Sequence, residues 1–233
     1  GDNWYNAIYW TISSNYLNSN LIGYIADNDT TWQDTSVNKN GISHSINLSS
    51  PYNLFSWLTM NTTLSLKEDW IFKYRTYINQ TVENSKINDG FVRRLNPQIS
   101  TTFNTKIYGV FPFKIGAAEA IRHVITPKVT ITYKPNITKD WGALNKVFTN
   151  QEFQFSSNNK LLDPFYGSAL PATSQREQLI YGFRLQNLFQ MKYSNTPNNI
   201  NNDSLNYSPV ASQKINILDW NMNASYDAFA DSL

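Results

Sequence analysis

Hydrophobic and polar residues alternate with a period of two along much of the chain. From Leu58 to Lys67 the apolar-phase positions are Leu58, Met60, Thr62, Leu64 and Leu66, and the polar-phase positions are Thr59, Asn61, Thr63, Ser65 and Lys67. Successive side chains of a strand point to opposite sides, so this stretch predicts a strand with one greasy and one wet face. The same alternation runs through Ile8–Tyr16, Ile99–Ile107, Val129–Tyr133, Leu179–Gln186 and Trp220–Tyr226. No apolar stripe of helical period competes with it. The expectation is an all-β, antiparallel chain.

Polar stretches separate these runs. Asp27–Asn40 reads as a loop and Asn18-Ser19-Asn20 as a tight turn between two strands. Lys139–Asn150, Ser156–Gln178 and Tyr193–Gln213 read as long connections. The last two are large enough to fold over a barrel mouth, and the rule of short turns at one end and long loops at the other puts both on the cell exterior. Pro97, Pro112, Pro127 and Pro135 read best as strand ends and turns, with thinning of ladders as the alternative. No repeat and no domain boundary is visible, so residues 1–233 read as one unit.

Alternation alone also fits a soluble secreted sandwich, such as an adhesin or carbohydrate-binding module. The aromatics separate the two readings. Tyr52, Phe55 and Trp57 precede the Leu58–Leu66 run; Trp70, Phe72, Tyr74 and Tyr77 follow it. Trp57 and Trp70 lie 13 residues apart. On a strand tilted near 45° that is roughly 30 Å of membrane depth, with rings at both headgroup levels. The fold expected is an antiparallel transmembrane β-barrel. At roughly 20–25 residues per strand and connection, about ten strands are supplied here, which either close as a small barrel or form part of a larger one. The lumen candidates are Thr59, Asn61, Thr63, Lys67, Thr102, Asn104, Lys106, Arg184, Asn221 and Asn223. Of these, Lys67, Lys106 and Arg184 could attract lipid phosphates or simply be solvated.

Composition agrees with such a wall. Charged residues make up 15%, aromatics another 15%, and 31 asparagines supply polarity that Lys and Glu provide elsewhere. A net charge of +2 without a basic run implies no nucleic-acid partner. With no cysteine, a disulfide framework and a thiolate metal site are excluded. There is no apolar run long enough for a transmembrane helix, and the opening Gly1-Asp2-Asn3-Trp4 is no signal peptide, so the chain reads as a fragment. His44 and His123 lack a Gly-x-Ser-x-Gly elbow, which argues against catalysis. Asp27, Asp29 and Asp34 depart from calcium-loop spacing. No enzyme activity, cofactor or metal is expected.

Ala120–Pro135 contains Arg122, His123, Pro127, Tyr133 and Pro135 in an order that resembles the Arg-His-x-x-x-Pro-x-x-x-x-x-Tyr-x-Pro stretch of LptD barrels, the LPS-assembly proteins. Arg94–Ser100 with Tyr108-Gly109, and Phe183–Lys192, resemble neighbouring strands of that family; Ala224–Leu233 is similar to a strand ending in its Bacteroidetes members. The likeness covers residues 91–233, and residues 1–90 fit by strand pattern only. It implies transport of lipopolysaccharide to the outer leaflet of the bacterial outer membrane. Implied partners are an LptE-like lipoprotein plug, lipopolysaccharide and outer-membrane lipids. No match to the family's periplasmic jelly-roll is seen. A porin-type channel is the alternative with the same fold.

Overall fold

A computed structural model describes residues 7–27, 31–78, 80, 85–194 and 212–230. Ten strands are present among them: β1 (Tyr9–Asp27), β2 (Thr31–Phe55), β3 (Leu58–Tyr77), β4 (Ser85–Thr105), β5 (Ile107–Ile115), β6 (Ala118–Lys134), β7 (Gln154–Phe155), β8 (Leu161–Leu162), β9 (Gln178–Ser194) and β10 (Ser212–Asp227). One short helix, α1 (Asn145–Phe148), sits between β6 and β7. Eight strands form a single antiparallel sheet in the order β1-β2-β3-β4-β6-β9-β10, with β5 on β6; β7 and β8 pair separately. The all-β antiparallel expectation holds. The described strands do not close on themselves: β1 and β10 each keep one unpaired edge.

The strands are longer than the alternating runs suggest. Residues 31–40 belong to β2 and pair with β1 up to Asp27↔Thr31, so most of the expected loop Asp27–Asn40 is ladder. Asn18, Ser19 and Asn20 pair with Asn40, Lys39 and Asn38 and make no turn. Backbone N–H and C=O groups form the ladder whatever the side chains are. A run of Asn, Asp and Thr can therefore be ladder, which a reading by composition mistakes for a loop. Asp27 and Asp34 thus fall in strand, and Asp29 lies outside the described residues.

β4 and β5 act as one bent strand. Asn104 opposes Lys128, and Ile107 opposes Ile125, so the register on β6 runs unbroken past Lys106. The interruption lies across from Pro127, which has no N–H to offer. A two-residue turn at Gly116 and Ala117 then leads into β6, with Gly116 at φ +61°, where a glycine is favoured. The other end of this ladder stops at Ile99↔Tyr133. Two further steps would set Pro97 against Pro135, two residues that both lack a donor. The strand-end reading of the prolines thus holds for Pro135 alone. Pro97, Pro112 and Pro127 lie inside strands, where they thin or end a ladder.

Strand direction also sorts the connections. Residues 56–57, 116–117 and 195–211 join strands at one end of the sheet; 28–30, 78–84 and 135–177 join them at the other. The two long connections therefore leave opposite ends and cannot both face the exterior, because β9 carries the chain from one end to the other between them.

Candidate functional site

Directly opposed residues of antiparallel strands share a face, so the registers assign every paired side chain. One face is apolar. A row across it reads Leu48–Leu64–Ile99–Tyr133–Leu179, and another runs Phe103–Val129–Phe183–Ala224. Nothing covers it among the described residues: Trp10 is 67% exposed, Ile12 59%, Trp220 51% and Tyr226 68%. Among the described residues the second sheet is the β7–β8 pair alone, with two residues per strand, too small to cover this face as the second layer of a sandwich would.

The other face is polar, and all ten candidates taken from the alternation share its phase. Thr59 opposes Asn104, Asn61 opposes Thr102, and Thr63 opposes Ser100. Arg184 opposes Lys128 and Asn223, and its Nη2 donates to Asn221 Oδ1 at 3.4 Å. Lys106 keeps this phase at the β4–β5 break. Over β2 to β6 the face is a ladder of neutral hydrogen bonds: Ser49 to Asn61, Ser65 to Asn47, Thr102 with Thr130, and Ser100 with Thr132, at 2.7–3.1 Å.

The motif residues divide between the faces. Arg122 and His123 lie within β6 and point to opposite sides. Arg122 sits over the Tyr108 ring at 4.8 Å on the polar side. On the apolar side, His123 Nε2 lies 3.2 Å from Asn187 Oδ1 and its ring stacks on Phe189 at 3.9 Å. A second polar group on that face joins Ser14 to His44 Nδ1 at 2.8 Å and Glu68 to Arg93 at 3.4 Å. It does not form a catalytic triad. His44 Nε2 has no partner, Glu68 is taken by Arg93, and regular ladder pairing consumes the backbone donors an oxyanion would need.

Aromatic rings border the apolar face at two levels. Tyr52, Phe55 and Trp57 lie at one end, with Phe55 and Trp57 stacked at 5.5 Å. Trp70, Phe72 and Phe91 meet at the other, at 5.7 and 6.0 Å. Tyr74 and Tyr77 do not join this second group. Beyond Ile71, β2 no longer pairs with β3, and the connection 135–177 takes the vacated edge through Arg75 N–H to the Pro164 carbonyl. The Tyr77 hydroxyl donates to the Asp163 carbonyl, and Tyr74 packs on the buried cluster described next.

That connection folds back onto the polar face and is anchored there. Phe165 and Leu170 bury against Ile71 and Val92. Beside them, Arg94 and Asp69 are 3% and 1% exposed. Arg94 Nε and Nη2 both donate to Asp69 Oδ2, at 3.0 and 2.9 Å, while Nη1 donates to Thr173 Oγ1 at 2.8 Å. Its guanidinium lies over the Phe165 ring at 4.1 Å. Ser43 donates to Asp69 Oδ1 at 2.8 Å, and Lys67 Nζ lies 3.8 Å from it. Asp163 closes the turn by accepting from the Phe165 and Thr173 N–H groups and the Thr173 hydroxyl. Space for Leu170 exists because position 41 is glycine: a Cβ there would come within 2.8 Å of Leu170 Cγ.

The same connection finishes the β4 edge that β6 leaves open. Arg93 N–H donates to Asn150 Oδ1, Asn150 Nδ2 to the Phe91 carbonyl, and the Thr149 hydroxyl to the Arg93 carbonyl. Nothing in the alternation named Asp69, Arg94 or Asp163. A signal was present nonetheless: Ile71 and Val92 are apolar residues in the polar phase, which marks where that face meets protein.

At the base of the connection, Glu177 accepts from Lys139 Nζ at 2.5 Å and from the Tyr133 hydroxyl at 2.9 Å. The Lys139 bond first, and the Tyr133 bond after it, hold its carboxyl below the ordinary value of 4.5. A depressed folded-state pKa stabilises above the unfolded value and is lost as pH falls through the folded one. Protease cleavage of residues 139–177 is expected to stay constant from neutral pH down to the ordinary Glu range and to rise below it. Glu177→Gln should remove that acid-side rise; an unchanged profile in the variant would contradict this role.

Comparison with known proteins decides the family. The family model described as LptD protein matches residues 1–233. The chain belongs to the LptD family. The match takes in residues 1–90, which showed only strand pattern. LptD proteins are associated with lipopolysaccharide transport, consistent with an interaction with lipopolysaccharide. No curated protein and no solved structure matches the chain.

Proposed function

We propose that this LptD-family sheet is part of the wall of a closed outer-membrane barrel that delivers lipopolysaccharide to the outer leaflet. The observation that carries the reading is the asymmetry of cover. The apolar face is bare, while the anchored connection packs on the polar face. Lipid accounts for an apolar face without a protein layer, and a wet lumen accounts for a face of hydroxyls and amides. Lipid cannot satisfy backbone groups, so the free edges of β1 and β10 require pairing that closes the wall. The strands of 16–25 residues exceed the roughly 9–11 needed to span, so their ladders continue beyond the bilayer.

The ten polar-face candidates then line the lumen. Sugars and phosphates would pass along them, while acyl chains keep to the apolar side through a seam. The role is transport and not catalysis, and an LptE-like lipoprotein is the partner expected to plug the lumen. The test is depletion of the full-length protein in its host. Lipopolysaccharide at the cell surface should fall while it accumulates inside the envelope. Unchanged surface lipopolysaccharide together with lowered uptake of small solutes would replace this reading with a porin.

A further inference from the structure

The polar face changes character between its two halves. In β1 to β4, hydroxyls and amides provide wetness, and Lys67 has Asp69 nearby. In β6, β9 and β10, cations stand among them. Lys128 stands directly opposite Arg184, and Lys192 directly opposite Lys214. Arg122 lies beside the second pair, opposite Gln190. Like charges in directly opposed positions destabilise a sheet. Neutral residues in the first half show that a wet face does not need them. Among the described residues no ion pair joins Arg122, Lys128, Arg184 or Lys214 to a carboxylate. Lys192 has Glu119 at 2.8 Å. The acid Asp219 on β10 accepts from Gln186.

Each station has an open dent beside it. Lys128 and Arg184 border one of about 230 Å³, floored by Thr130 and Gly182, where the missing side chain lets a ligand approach the backbone. Arg122, Lys192 and Lys214 border another of about 180 Å³. The Tyr108 ring under the Arg122 guanidinium holds its fork in place. Arg122 and Lys128 are six steps apart along β6, about 20 Å.

We propose that these two stations form a track for the phosphates of a glycolipid headgroup moving along the polar face. The inference rests on the reading of that face as a transport lumen and adds the group it grips and the residues that grip it. Guanidinium forks and ammonium groups take up phosphate oxygens through charge-assisted hydrogen bonds. A bound phosphate would also relieve the repulsion of each like-charged pair. The empty track therefore trades stability for affinity.

The full-length protein in detergent is titrated with bisphosphorylated lipid A and with the same lipid dephosphorylated. Wild type should prefer the phosphorylated form by about tenfold or more. The double variant Lys128→Gln with Arg184→Gln should lose that preference, keep its affinity for the dephosphorylated form, and melt at or above the wild-type temperature. Lys160→Gln, at an exposed lysine of the connection that borders neither station, should behave as wild type. Loss of fold in the double variant would show a structural role and overturn the inference. So would a retained preference, or a single-stranded oligonucleotide bound as tightly as lipid A. Should wild type bind neither lipid, the transport reading fails with it; a wild-type preference that survives in the double variant removes the track alone.

Discussion

Replacing Arg94 by leucine is expected to cost about 3–5 kcal/mol, because it strands Asp69 as a buried charge without its partner. Asp69 is 1% exposed, and Arg94 supplies two of its hydrogen bonds. Ser43 alone cannot replace a guanidinium, and Lys67 reaches it only at 3.8 Å from an exposed stem. The same change removes the donor to Thr173 Oγ1 and the cation over Phe165. The connection 135–177 should therefore come off the polar face. Limited proteolysis should cut it within residues 156–176 at a markedly higher rate, and the denaturation midpoint of the protein should fall. Replacing both partners, Asp69→Leu with Arg94→Met, should cost much less, since no unpaired charge is then left buried. Equal losses in the single and double variants would show that the connection is held by its apolar contacts and not by the ion pair.

Arginine at position 64 is expected to destabilise the membrane-embedded protein by about 2–4 kcal/mol, whereas arginine at position 63 should be nearly neutral. The two positions are adjacent, yet they lie on opposite faces of the sheet. Leu64 lies between Leu48 and Ile99 on the bare apolar face. Thr63 lies between Ser49 and Ser100 on the polar one. Unfolding by denaturant from lipid vesicles reads the difference directly. Were the apolar face turned to water, Leu64→Arg would cost little and would improve solubility, so the sign of the comparison distinguishes the two media. Equal effects at both sites would remove the membrane reading.

The two experiments probe the two surfaces of one sheet. The connection sits on the side where water competes for hydrogen bonds, so its attachment needs a buried ion pair, a floor of Ile71 and Val92, and a glycine at position 41 to admit Leu170. On the proposed reading nothing comparable is needed on the apolar side, since lipid covers side chains without specific contacts.

Which residues share a face was legible from the chain alone. Side-chain alternation is a property of extended backbone, so a period of two in the residues becomes two faces as soon as the strand forms. That is why Thr59, Asn61, Thr63, Lys67, Thr102, Asn104, Lys106, Arg184, Asn221 and Asn223 keep one phase across four strands and the β4–β5 break. The all-β class followed from the same alternation. What escaped was everything that depends on which strand lies beside which. Residues 31–40 look like loop and are ladder, because β1 supplies their backbone partners. Tyr74 and Tyr77 look like interfacial aromatics and pack instead on the connection, because β2 leaves β3 at Ile71. Lys128 and Arg184 are 56 positions apart in the chain, and only the β6–β9 register sets like charges against each other. Period and phase are local, carried by covalent geometry within a few residues. Register, edge and cover arise from pairing between distant segments, whose energies are shared by partners that no single stretch of sequence contains.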